Sequence, residues 1–155
     1  MELAKNLRID SVSRLNPTAS LQISPSSSVA EAVALMRNHK VGCILVCIAE
    51  EVVGIFTERD LMRRVLAANV PFSLPVSQFM TANPVMVHPK DSIRCAIRRM
   101  EEGGYRHLPV VNDRGRPVGI LSAKRIVHYL AEHYPATVHN LPPDPGVVPQ
   151  EREGA

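Results

Sequence analysis

The chain repeats itself, and this restricts its architecture more than any other feature. Residues 23–56 set beside residues 87–121 at an offset of 64 align Pro25 with Pro89, Ser28 with Ser92, Ala32 with Ala96, Met36 with Met100 and Val46 with Val110. One extra residue in the second copy moves the offset to 65, and Val53, Gly54 and Ile55 then fall on Val118, Gly119 and Ile120. The matches keep to apolar and turn positions, as expected of one supersecondary unit used twice and stacked on itself to bury its apolar face. A chain of 155 residues is long enough for two such units to share a core without a metal or a disulfide.

Each copy reads as β-α-β-β-α. A short apolar segment (LQI from residue 21, VMV from residue 85) leads to Pro and a polar cluster. Ser28 with Glu31 three residues on forms a capping-box pattern, and Asp91 or Ser92 caps the second copy. Val29, Ala32, Val33 and Met36 share one helical face, matched by Ile93, Ala96, Ile97 and Met100, and Gly103–Gly104 stops the second helix. CILVCI (43–48) pairs with VVGIF (52–56), and HLPVV (107–111) with VGIL (118–121) across the turn NDRGRP. A further helix begins near Glu58 and near Ala123. The expected class is therefore α/β (α+β). Residues 1–15 are a lead-in, 16–68 the first repeat and 69–78 a linker broken by Pro71 and Pro75. Residues 79–134 are the second repeat, and 135–155 a Pro-rich tail carrying Pro135, Pro142, Pro143, Pro145 and Pro149.

Composition narrows the function classes. With 45% hydrophobic and 21% charged residues the chain is an ordinary globular one, and no Trp with 4% aromatics argues against a stacking platform for single-stranded nucleic acid. Three cysteines at unhelpful spacings argue against a disulfide scaffold, and Cys43, Cys47 and Cys95 sit in apolar patterns as small core residues. No apolar run approaches the roughly 18 residues of a membrane span, and the start lacks a signal-peptide core, so a cytoplasmic location and no membrane partner are expected. A net charge of +3 and a pI near 9.0 suit a small anion better than a nucleic acid, because the basic residues are interleaved with acids. His128, His133 and His139 lack an acidic or Cys companion at metal-ligand spacing, so no metal site is expected. There is no nucleophile–base pair, P-loop or dinucleotide Gly fingerprint, so catalytic residues and an enzymatic role are not expected.

GIFTERD (54–60), GILSAKR (119–125), FMTANPVMVHPKDSI (79–93) and YRHLPVV (105–111) together resemble a tandem pair of cystathionine-β-synthase (CBS) domains, a Bateman module, over residues 10–134. The resemblance implies two repeats about a pseudo-twofold axis, two clefts that commonly hold adenosyl compounds, and association into a homodimer. It implies a ribose site at Thr57 and Asp60, phosphate contacts from Arg106, His107 and Lys124, and an adenine sandwich near Asn83, Pro84 and Val85. The first pair alone is explained equally by helix capping, with Thr57 as N-cap and Asp60 in the first turn. Arg106 and Lys124 taken singly are explained as solvated surface charge. The second cleft departs from the pattern. Ser122 stands there, but Arg125 occupies the Asp position and accepts no ribose hydroxyl, Ser20 and Leu21 replace Pro84 and Val85, and Gly42 and Cys43 offer no charge opposite. Arg59 and Lys40 are the basic residues expected near it. One competent cleft and one degenerate cleft are expected.

The leading reading is a regulatory module that binds AMP, ADP or ATP as a regulatory ligand, needs no cofactor, and signals through its dimer or an unidentified effector protein. An interaction module with vestigial clefts is the alternative, and nucleic-acid binding a weaker one.

Overall fold

The computed structural model describes residues 2–134; the Pro-rich tail and His139 lie outside them. Helix α1 (Glu2–Ile9) and a short 3-10 turn (Val12–Leu15) precede the first repeat. That repeat comprises β1 (Gln22–Ile23), α2 (Val29–His39), β2 (Cys43–Ile48), β3 (Glu51–Thr57) and α3 (Glu58–Asp60), the last running on as a π-helix over Leu61–Leu66. After a 3-10 turn (Val76–Gln78) come β4 (Thr81–Ala82), α4 (Ile93–Gly103), β5 (His107–Val111), β6 (Pro117–Ser122) and α5 (Ala123–His133).

Both serines expected as N-caps cap their helices, although the Ser28–Glu31 pair forms only the serine half of a capping box. Ser28 Oγ accepts from Glu31 N, Ser92 Oγ accepts from Cys95 N, and Gly104 ends α4 at φ +67°. That left-handed turn is one that Gly adopts without a Cβ penalty. The apolar segment at residues 85–87 differs from expectation. It forms one parallel bridge, Val87 to Val110, in place of a strand, and Pro84 and Pro89 on either side lack the N–H that would extend it.

The two repeats exchange their leading segments. β4 pairs antiparallel with β3, so the segment entering the second repeat closes the sheet of the first, in the order β1-β2-β3-β4. At the matching place Thr18 bridges Ile120 of β6. Gly119 faces that crossing: a Cβ there would lie 3.0 Å from the Thr18 carbonyl oxygen. Gly54 is its counterpart under Met80. Packing follows the same exchange. Val76 and Phe79, at the entry to the second repeat, lie in the first core with Val29, Ala32, Ile44, Val46 and Phe56. Val12 and Leu15, ahead of the first repeat, lie in the second core with Val87, Ile93, Leu108, Val110 and Leu121.

Alternation on the strands explains why CILVCI is apolar throughout. Ile44 and Val46 face the first core. Cys43 and Leu45 face the other way and meet Ile55 and Ile120, where the hairpins of the two repeats come together. Cys43 and Cys47 share a side, and both pack at this contact. Burial, with Glu58 nearby, pushes the Cys43 thiol up to about 12, so it is inert. Tyr129 anchors the N-terminal segment by donating to Asp10 Oδ2 at 2.8 Å, and burial together with that bond pushes its hydroxyl up to about 12.

Candidate functional site

A cavity of about 350 Å³ opens between the repeats, within the range of small-molecule sites. Its floor is the turn from β3 into α3. Thr57 is the N-cap and forms a reciprocal capping box: its hydroxyl accepts from Asp60 N at 3.2 Å, and Thr57 N donates to Asp60 Oδ2 at 3.0 Å. The capping explanation for Thr57 is therefore realised. Asp60 does more than cap. Its carboxylate, in a residue only 7% exposed, also accepts from Thr57 Oγ1 (3.1 Å) and Thr81 Oγ1 (3.1 Å) and lies 3.6 Å from Arg64 Nε. Arg64 in turn donates to the Met80 carbonyl at 2.8 Å. One buried carboxylate thus ties the helix start to the crossing strand β4.

Around this floor the walls are basic. Arg59, Arg63, Arg64 and Arg106 all line the cavity, against Glu58 and Asp60 as acids. Arg59 reaches across to the second repeat and donates to the Gly104 carbonyl at 3.0 Å. Arg64 is held as described, whereas Arg63 and Arg106 make no side-chain hydrogen bond or ion pair among the described residues. Guanidinium forks suit bidentate contact with phosphate oxygens. His107 stands beside them, lowered below its ordinary value by burial, with Glu58 working against this and Arg106 adding to it. At neutral pH it is an uncharged imidazole with one N–H to give. Tyr105 lies over Gly103, where any Cβ would meet its ring, and offers an exposed aromatic face at the rim.

Of the residues singled out from sequence, Thr57, Asp60, Pro84, Val85, Arg106 and His107 line this one cavity. Asn83 is beside it but not in its wall: it adopts φ +48° and gives its N–H to the Val53 carbonyl, ending β4. Lys124 is misplaced by the sequence reading. It lines a different cavity, of about 300 Å³, with Thr18, Ser122, Arg125 and His128. The reason is the repeat itself: Lys124 is the second residue of α5 and corresponds to Arg59, so each residue serves the cleft of its own repeat. Arg59, expected at the second cleft, lines the first for the same reason, and Gly42, expected there too, also lines the first. Arg125 lines the second cavity, as expected. Thr81, Arg63, Arg64 and Tyr105 were missed. The pattern (T/S)xxD followed by Arg-Arg one turn on carries the two arginines, because positions i, i+3 and i+4 share a helix face. Nothing local marks Thr81, whose role depends on the strand crossing. Among the described residues no three His, Cys, Asp or Glu side chains cluster as a metal site: His128 pairs with Glu132 at 2.8 Å and His133 stacks on Tyr129 at 4.2 Å. No described helix is long and apolar enough to cross a membrane.

Comparison with known proteins gives consistent matches. The family model for the CBS domain matches twice, at residues 12–67 and 76–132. An uncharacterized 17.7 kDa protein of Acidianus ambivalens is 31% identical over 122 residues, covering 78% of this chain and 73% of that one. The chain also matches CBS domain-containing proteins of Arabidopsis thaliana, of whose length it spans about a fifth. Among solved structures, a putative signal-transduction protein with CBS domains from Burkholderia ambifaria superposes with a TM-score of 0.73 at 27% identity, covering 81% of this chain and 96% of that one. The CBSX2 structure, in complex with AMP, superposes at 0.68 with 26% identity, covering 79% and 96%.

Proposed function

The chain belongs to the CBS domain family, and from that premise we propose that it is a regulatory module binding an adenine nucleotide in the cavity at Asp60. The observation that carries the reading is the convergence, in one cavity, of a buried carboxylate and its half-buried hydroxyl partner with four arginines and an uncharged imidazole. Ribose hydroxyls suit the first group and phosphate the second. Tyr105 and Val85, each 37% exposed at the rim, and buried Pro84 supply an apolar clamp for a base. The AMP complex of CBSX2 supports the adenosine part. The excess of arginine favours AMP, ADP or ATP over a cationic adenosyl compound. A homodimer belongs to the same reading: Met62, Leu66 and Val127 expose apolar side chains on the helical segments that close the two repeats. A ligand transmits through such a dimer or an effector protein only by binding one arrangement of the repeats better than another.

Titration calorimetry with AMP tests this. Arg63→Gln and Arg106→Gln each remove an exposed guanidinium from the cavity without unpairing a buried group. Each weakens binding about tenfold, the value of one charge-assisted hydrogen bond. Absence of AMP, ADP and ATP binding, or wild-type affinity in both variants, overturns the reading and leaves an interaction module with a vestigial cleft.

His107 adds a pH signature. Its folded value is below the unfolded 6.5, so the folded state takes up its proton later than the unfolded chain, and stability falls as pH drops through 6.5. Phosphate beside the ring raises that value again. Binding below pH 6.5 therefore takes up a proton at His107, visible as a dependence of binding heat on buffer ionisation that His107→Gln removes. An identical dependence in the variant places the phosphate elsewhere.

A further inference from the structure

We propose that Glu58 makes the cavity at Asp60 selective for a nucleoside monophosphate over the di- and triphosphate. This rests on the adenine-nucleotide reading and adds the number of phosphates to it. The charged groups of the wall are four guanidinium groups, on Arg59, Arg63, Arg64 and Arg106, and two carboxylates, on Glu58 and Asp60, which leaves a net charge of +2. His107 adds nothing at neutral pH, because burial holds it below its ordinary value. One phosphate monoester carries nearly two negative charges there and cancels the excess. The existing contacts narrow this further. Arg59 donates to the Gly104 carbonyl at 3.0 Å. Arg64 lies 3.6 Å from Asp60 and donates to the Met80 carbonyl at 2.8 Å. Only Arg63 and Arg106 of the four make no side-chain hydrogen bond or ion pair among the described residues. Two unengaged guanidinium forks suit the oxygens of a single phosphate.

Glu58 is what opposes any further phosphate. Its carboxylate stands on the His107 side of the cavity: a Cβ added to Gly42 would lie 3.4 Å from Glu58 Oε1 and 3.6 Å from His107 Cε1. Its charge is felt by both neighbours, the His107 ring and the Cys43 thiol. The two acids of the cavity are in different states. Asp60 is matched by Arg64 and by the hydroxyls of Thr57 and Thr81. Glu58 makes no side-chain hydrogen bond or ion pair among the described residues. The start of α3 favours an acid at this position, yet the carboxylate borders the cavity with its charge unopposed. A monophosphate held by Arg63 and Arg106 leaves the wall close to neutral. Each further phosphate brings charge of the same sign as Glu58, with no unengaged arginine left to offset it. Like charges placed together in a site select against the ligand that brings them.

Titration calorimetry of the full chain tests it, with AMP, ADP and ATP as probes in buffer free of divalent cations. Wild type is expected to bind AMP at least about tenfold more tightly than ATP, with ADP between them. Glu58→Gln keeps the size of the side chain and removes its charge. It is expected to tighten ATP about tenfold and AMP by no more than about threefold. Glu58→Asp keeps the charge and is expected to keep the wild-type order. Glu58 is exposed and holds no other side chain in place, so both variants are expected to melt close to wild type. Three results overturn the role of Glu58 while the adenine-nucleotide reading stands: ATP bound by wild type as tightly as AMP, an equal change for both nucleotides in Glu58→Gln, or loss of the AMP preference in Glu58→Asp. Absence of binding by all three nucleotides overturns that reading and the selectivity together.

Discussion

Asp60→Ala is expected to cost about 3 kcal/mol, a fall of about 10 °C in melting temperature for a chain of this size. The reason is what the carboxylate holds. Removing it unpairs Thr57 N and the Thr57 and Thr81 hydroxyls, and leaves Arg64 without its anion, around a residue only 7% exposed. Half-buried donors left without acceptors carry part of the desolvation penalty on top of the net worth of the bonds themselves. Asp60→Asn, which keeps one acceptor oxygen, is expected to fall between the two. Calorimetry or circular dichroism melting decides, and a loss of under 2 °C means that the network is not holding β4 to α3. The size of this effect also governs how the site is tested. Loss of nucleotide binding in Asp60→Ala does not separate a missing ribose acceptor from a displaced crossing strand. The exposed Arg63 and Arg106 do separate them, because removing either leaves the floor of the cavity intact.

The repeat was legible because the same steric demands recur at equivalent positions. Ser28 and Ser92 cap helices in the same way, Met36 and Met100 fill the same place in their cores, and Gly54 and Gly119 both lie beneath a crossing segment. Register within each hairpin follows from alternation, since a slip of one residue would turn Ile44 and Val46 away from their core. The half of the cavity contributed by β3, α3 and the start of β5 was legible through the family resemblance, which carries Thr57, Asp60, Arg106 and His107 over by their places in its motifs. Lys124 was misassigned because its side depends on how the two repeats face each other. Sequence offset shows that two units are equivalent. It does not show which loop of one lies against which loop of the other.

The exchange of leading segments was not read from the sequence, although a trace of it is there. The offset of 64 continues upstream of the aligned blocks, setting Val12 on Val76 and Leu15 on Phe79. Short helical turns with two apolar residues carry little periodicity, and a segment ahead of a repeat is easily read as a connector. Its true role is set by tertiary packing, which overrides local pattern: both members of each pair are buried in the core of the other repeat.

Deleting residues 1–15 is consequently expected to unfold the second repeat rather than trim a loose end. Val12 and Leu15 are 0% and 2% exposed, and a Leu-to-Ala change at such a place alone costs about 3 kcal/mol. The deletion also removes backbone bonds from Val12 N to the Asp91 carbonyl (2.8 Å), from Ser13 N to the Pro89 carbonyl (3.0 Å) and from Ile93 N to the Asp10 carbonyl (2.9 Å). Tyr129 then loses Asp10, and Tyr134 loses the amide of Asn6 that donates to it at 2.8 Å. These losses together exceed about 5 kcal/mol, comparable with the whole stability of a typical domain. The truncated chain is expected to lose amide dispersion over residues 87–134 and to melt without a sharp transition. The first repeat, which shares the Cys43–Leu45–Ile55–Ile120 contact, weakens with it. Leu15→Ala is the milder form, predicted to lower the melting temperature by about 10 °C while keeping a cooperative transition. A truncated chain that melts within a few degrees of wild type would show that α4, β5, β6 and α5 close their own core, and that the exchanged segment only decorates it.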